Sequence, residues 1–390
     1  MEEIKYRDRK NTNSVKWDGC KEMFGDEDLM PLWVADMDFE APACVKEALC
    51  AYVQEGIFGY YRPDEGYYEA FIAWEKMYHD YMVKREWIRF APGVVPAFNW
   101  LIQILTKEQD SVIITPPVYH PFRNAIINNN RKLVESPLVR IGDSYEMNLE
   151  DFEKKLVENQ VKLFIFCSPH NPVGRVWTRE EICQVLDLCK KHNVYVIADE
   201  IHQDLVMKGY KKVTAATVGE YDDMLVTLAS NSKTFNLAGC QNSFLVIADE
   251  KIRAAFDCYT KKLAISDGNA FGYIAVKSAY VGGRQWLEQV IELVERNYQM
   301  MKKCIKEAFP DVWIARLEGT YLMWMDLSPY ISRERLQEFM QEECKLAIDY
   351  GSWFETDSKE AFIRINLATC KENIKEAARR IVAALTNYSE

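Results

Sequence analysis

The strongest constraint in this chain is a repeated alternation. A short run of β-branched and aromatic residues ends in a polar turn, a helical pattern follows, and another apolar run comes next. Such runs lie at 111–115, 162–167, 194–198, 224–228 and 244–248. They are apolar on both faces, which is typical of a parallel sheet covered by helices. The β-α-β order therefore predicts an α/β fold with right-handed crossovers. Between two runs, Thr178 and Glu181 are spaced as a capping box. Behind them Ile182, Val185, Leu186 and Cys189 recur at i, i+3, i+4 and i+7, one apolar helix face.

After about residue 285 the texture changes. The pattern predicts a long helix over 285–308, an apolar run at 320–325, a helix over 333–344 and a strand over 361–367. A last helix starts near Lys371, with Ile374, Ala378, Ile381 and Leu385 on one face. This is a smaller α+β lobe. The first 45 or so residues have little β-α-β character and are expected to pack with it. The expected division is a large domain over 47–287 and a small one made of 1–46 and 288–390.

Composition excludes several classes. The chain has 390 residues, 48% apolar and 27% charged, which is ordinary globular usage. A chain this long can bury its core without a metal or disulfide. Lys and Arg total 48 against 59 Asp and Glu, a net charge of −11. An acidic body repels phosphate backbones, so no broad nucleic-acid surface is expected, although a local basic pocket for a small anion is allowed. The 11 cysteines include no CxxC pair or zinc spacing, so reduced thiols in the cytoplasm are expected and no metal site. The first eight residues hold no apolar run, and no run reaches the ~18 residues of a membrane span, so neither a secretory leader nor a membrane partner is expected.

In parallel sheets ligands bind beyond the carboxyl ends of the strands. Asn171, Asp199 and Lys233 each lie just past such an end. Lys233 follows two serines, Ser230 and Ser232, and precedes an apolar stretch. As a lone lysine it reads as solvated; desolvated, it could lose its proton and form an imine. Asp199 ends an apolar strand, where an unpaired carboxylate is costly. It reads either as a helix cap or ion-pair member, or as the partner of a protonated ring nitrogen. A lysine with such a carboxylate is the pair that pyridoxal phosphate needs. Asn171 stands between prolines, which stiffen its loop. His202 is as readily structural as catalytic. Residues 91–97 open a helical pattern whose free amides suit a phosphate. Arg364 sits inside an apolar strand and needs either a structural partner or a substrate carboxylate.

Together the strings at 168–174, 198–202 and 232–239 resemble fold-type I pyridoxal-phosphate enzymes over essentially the whole chain. Those at 31–39, 56–60, 93–97 and 199–202 resemble the MalY/PatB branch, the cystathionine β-lyases or C–S lyases. The resemblance implies a mainly parallel seven-stranded sheet in the large domain and pyridoxal 5'-phosphate as cofactor. It implies that Lys233 holds the cofactor and takes the α-proton, that Asp199 pairs with the ring nitrogen, and that Asn171 contacts the ring oxygen. Tyr119 would stack on the ring, and the Val94 and Val95 amides with Ser230 and Ser232 would hold the phosphate. His202 would also border the cofactor. Arg364 would clamp the substrate carboxylate, with Trp33, Ala35 and Asp36 bordering the substrate pocket. Tyr60 would reach the phosphate of a neighbouring subunit, making a homodimer part of the catalytic site.

Two departures separate the chain from ordinary class I aminotransferases. Gln241 stands where they carry a phosphate-pairing arginine, and His202 where they carry tyrosine. Both are expected of the lyase branch. The expected reaction is α,β-elimination from L-cystathionine or related S-substituted L-cysteines. The alternative is an aminotransferase of aromatic or sulfur amino acids, built on the same lysine, aspartate and arginine. A non-enzymatic regulator is a third reading, which the intact Lys233, Asp199 and Arg364 argue against.

Overall fold

The computed structural model describes residues 4–265, 267–355 and 359–389. Seven strands form the main sheet: β1 (Ile88–Ala91), β2 (Ser111–Ile114), β3 (Lys132–Glu135), β4 (Leu163–Cys167), β5 (Tyr195–Asp199), β6 (Leu225–Ala229) and β7 (Ser243–Ile247). Their order is β1-β7-β6-β5-β4-β2-β3. The pairs from β6 through β3 are parallel, as the apolar runs predict. The run near 244–248 differs, because β7 is antiparallel to both its neighbours. The connection from β6 to β7 carries only the one-turn helix Asn231–Thr234 and a 3-10 turn. A parallel crossover needs a longer connection, usually with a helix lying on the sheet.

Successive strand residues face opposite sides of the sheet. Ile165, Ile197 and Val226 pack with Phe98, Leu101 and Phe122 in one core. Their neighbours Phe166, Ala198 and Leu225 pack with Phe152, Val185 and Leu186 in another. Each of the Val, Leu, Ile and Phe side chains among them, fully buried, contributes about 1.5–3 kcal/mol. The Thr178–Glu181 capping box forms, and Ile182, Val185, Leu186 and Cys189 are the buried face of Arg179–Lys191.

A second, antiparallel sheet comprises β8 (Trp313–Ile314), β9 (Leu322–Asp326), β10 (Asp349–Tyr350) and β11 (Phe362–Asn366) in the order β8-β9-β11-β10. The helices Arg284–Ala308 and Lys371–Ser389 share a core with it. The helix expected over 333–344 is α-helical at Arg333–Glu338 and continues in wider π turns at Phe339–Glu343. Both expected domain limits, 46/47 and 287/288, fall inside helices, Ala43–Glu55 and Arg284–Ala308.

The N-terminal segment is a strap across the two sheets. Met30–Pro31 pairs with Leu346–Ala347, and the Asn366 side chain donates to the carbonyls of Val34 and Asp36, each at 2.6 Å. On the other side Asn236 donates to the carbonyls of Met37 and Phe39. Lys16 and Asp38, both fully buried, form an ion pair at 2.8 Å that pins the strap, and Trp17 donates to the same carboxylate. The strap thereby carries Trp33 to Ala35 to the carboxyl end of the main sheet.

Candidate active site

At that end lies a cavity of about 660 Å³, within the size range of small-molecule sites. It brings together Lys233, Asp199, Asn171, Tyr119, His202, Ser232, Val94, Val95, Trp33, Ala35 and Arg364, which come from three separate parts of the chain.

The main sheet supplies the floor. Cys167 and Asp199 are register partners at the ends of β4 and β5. The loop after Cys167 folds Asn171 back into the cavity, where its backbone N–H meets the Cys167 sulfur. Asp199 is buried, and its carboxylate accepts from the Ile201 N–H at 3.1 Å. Burial pushes its pKa up to about 7, although the Ile201 bond and Lys233 pull the other way. After β6, Ser230 caps the short helix that holds Lys233, accepting from the Ser232 N–H at 3.2 Å. Lys233 Nζ donates to the Ala35 carbonyl at 2.7 Å. Desolvation draws this amine down to about 8, with Arg364 acting in the same sense and Asp36 and Asp199 against it.

The helix Val94–Leu105 starts at Gly93, which has no side chain to cap it, so its first amides are free for an anion. Arg364 enters from β11. One end nitrogen donates to Asn171 Oδ1 at 3.0 Å, the other to the Trp33 carbonyl at 2.9 Å and to the Asp349 carboxylate, while Nε has no partner. His202 is buried with Nδ1 unpartnered, and burial, then Lys233 and Arg364, lower its pKa to about 3, so the ring is neutral.

Asp36, Ser230 and Tyr60, the last expected to serve the neighbouring subunit, are not in the lining of this cavity. The Asp36 carboxylate points to a neighbouring surface cleft and pairs with Arg9 at 2.8 Å. Ser230 sits one layer below, its hydroxyl bonded to Ser232 and to the Asn242 carbonyl. Tyr60 is fully exposed on an aromatic stretch with Ile57 and Phe58.

Other cavity residues were not expected from the sequence. Asp349 has no local motif, and only the pairing of β10 with β11 sets it opposite Arg364. His120, Arg123 and Asn124 follow Tyr119 at the start of Pro121–Asn128; the clue was a cluster of polar side chains opening a helix just past a strand end. Trp353 and Ser352 belong to the turn after β10, and Cys167 also borders the cavity.

Residues 27–381 match the family described as Aminotransferase class I and II. The chain belongs to that family. It is 38% identical to the cystathionine beta-lyase PatB of Bacillus subtilis over 98% of this chain and 99% of that protein. Cystalysin of Treponema denticola, solved with pyridoxal 5'-phosphate, superposes with a TM-score of 0.94 at 33% identity, over 99% of both chains. The pyridoxal-phosphate-bound C–S lyase of Staphylococcus hominis gives a TM-score of 0.92 at 31% identity, over 98% of this chain and 97% of that one.

The residues present fit that cofactor. A buried aspartate without a counter-ion suits a protonated ring nitrogen, a half-buried lysine of lowered pKa suits an imine, and an uncapped helix start beside Ser232 suits a phosphate.

Proposed function

We propose that this chain is a pyridoxal-phosphate-dependent carbon–sulfur β-lyase. It takes L-cystathionine or a related S-substituted L-cysteine, with water, to thiol, pyruvate and ammonia. The observation that carries this reading is Lys233, Asp199, Asn171 and Arg364 around one cavity, in a chain aligned end to end with a cystathionine beta-lyase. When bound, the cofactor supplies the electron sink that makes the α-proton acidic. Lys233 holds the cofactor and receives the α-proton at Nζ, a task suited to an amine whose pKa lies near neutrality. Asp199 keeps a proton on the ring nitrogen, Asn171 orients the ring oxygen, and Tyr119 backs the ring. The Val94 and Val95 amides and the Ser232 hydroxyl receive the phosphate, with Ser230 bracing Ser232. Arg364 takes the substrate α-carboxylate, competing with Asp349 for the same fork.

The exposed Ile57, Phe58 and Tyr60 support a homodimer in which Tyr60 completes the neighbouring subunit's phosphate site. The strap's bonds to β11 support grouping 1–46 with 288–390, around a larger domain at 47–287. The eleven free cysteines support a cytoplasmic location, and no described helix is long and apolar enough to cross a membrane.

Pyruvate release from L-cystathionine without any added keto acid tests the reaction, on a preparation expected to sediment as a dimer. Absence of pyruvate, with amino transfer to an added keto acid, would make the protein an aminotransferase instead.

A further inference from the structure

Two guanidinium groups line this one cavity, and they are differently furnished. Arg364 is neutralised by Asp349 and braced by Asn171 and the Trp33 carbonyl. Arg123 makes no ion pair or hydrogen bond with any described residue, although its Nε is shut off from solvent. Arg123 is only partly buried and borders the cavity, so a guanidinium with no counter-ion among the described residues is a position for a ligand acceptor.

The neighbours of Arg123 favour an anion there. His120, one helical turn earlier, also borders the cavity with a buried, unpartnered Nδ1. Burial, reinforced by Arg364, lowers the His120 pKa to about 4, so it is a neutral hydrogen-bonding group beside the arginine. The Asn124 amide lies on the same wall. The His120 ring is 5.9 Å from that of Phe354, over which the Arg364 guanidinium lies at 4.9 Å. It is 6.4 Å from the Trp353 ring. The Arg123 wall is thus contiguous with the carboxylate clamp across an aromatic strip.

We propose that Arg123, with His120 and Asn124, forms a second anion subsite that receives a carboxylate carried on the leaving-thiol half of the substrate. The inference rests on the lyase reading and narrows its substrate class to thioethers that bear an acid at both ends. Arg364 takes the carboxylate of the half that becomes pyruvate, and Arg123 takes the carboxylate of the half that leaves as thiol. Neutral S-alkyl cysteines fill the same space without engaging the arginine.

The test compares S-(2-carboxyethyl)-L-cysteine with its uncharged isostere S-isopentyl-L-cysteine in the holoenzyme and in Arg123→Gln. For the acidic thioether, kcat/KM should fall on the order of 10- to 100-fold, mainly through KM, the loss expected for a charge-assisted bond. The isostere should be unaffected, and Arg123→Lys should recover part of the difference. The same guanidinium chemistry would also suit the cofactor phosphate, so cofactor affinity is measured alongside. Equal losses for both thioethers, or weakened cofactor binding with the thioether ratio unchanged, would overturn the subsite. Absence of pyruvate from either thioether in the unaltered protein would instead overturn the lyase reading. Calorimetric binding of glutarate, which undergoes no chemistry, decides the subsite in that event. Weaker binding in Arg123→Gln supports it, and equal binding overturns it.

Discussion

Asp199 and Asp204 lie five positions apart and are both buried, yet their surroundings are opposite. Asp204 accepts from Trp74 at 2.8 Å, from His79 at 2.8 Å and from Thr234 at 2.7 Å. Burial alone would raise its pKa, but His79, Trp74 and Thr234 outweigh it and hold the carboxyl below its ordinary value. Asp199 accepts from a single backbone amide and is pushed up to about 7. The first carboxylate is satisfied by the protein; the second has a single donor and borders the cavity. The two are linked: Asp204 accepts from Thr234, the residue next to Lys233, so the satisfied cluster fixes the backbone from which Lys233 projects. Polar burial as such does not mark a site; incomplete satisfaction facing a cavity does.

The sharpest break of the comparison is Lys233→Ala. It should abolish turnover and the yellow colour of the bound cofactor while leaving the Asp204 cluster intact, read by absorption and by an unchanged denaturation midpoint of the cofactor-free protein. Retained turnover would remove Lys233 from its role. Next comes one substitution made at both aspartates. Asp204→Asn should lower the unfolding free energy by about 1.5–3 kcal/mol, the range for hydrogen bonds to a charged group. Asp199→Asn should leave the cofactor-free protein as stable or more so at pH 8, because it removes a buried charge that lacks a counter-ion. Equal destabilisation in denaturant melts would erase the distinction drawn here. The mildest effect is on pH. The lowered pKa of Lys233 means that its neutral, nucleophilic fraction grows as pH rises and levels off above about 8. Cofactor uptake by the stripped protein should therefore quicken by roughly tenfold per pH unit well below that value and then plateau. A rate still rising towards the pH of an ordinary lysine would show that the amine is not desolvated.

Much of this was legible in the sequence. Hydrophobic runs and the capping box located most main-sheet strands and the Arg179–Lys191 helix, because burial on both faces and cap chemistry are local signals. Asn171, Asp199 and Lys233 stood out because strand ends are where such sheets bind ligands. Arg364 was conspicuous as a charge inside an apolar strand. The direction of β7 was not legible, since an apolar run carries no information about the sense of its pairing. Asp349 was invisible for a related reason: its meaning comes only from the register that sets it opposite Arg364. Asp36 was placed in the pocket by its neighbours in the chain, but the backbone bends at Val34 and Ala35, with the Asp36 N–H on the Val34 carbonyl, and its carboxylate pairs with Arg9.

The sequence by itself determined the α/β class and the family resemblance, and it singled out Lys233, Asp199 and Asn171, because each is written in a contiguous string. Only the tertiary structure decided which polar groups are left without partners. Satisfaction is a property of space: Asp204 and Asp199 occupy one short stretch, but the three donors that satisfy Asp204 come from residues 74, 79 and 234. Arg123 likewise looks like any surface arginine in the sequence. That it borders the cavity with an unpartnered nitrogen is seen only in the folded chain.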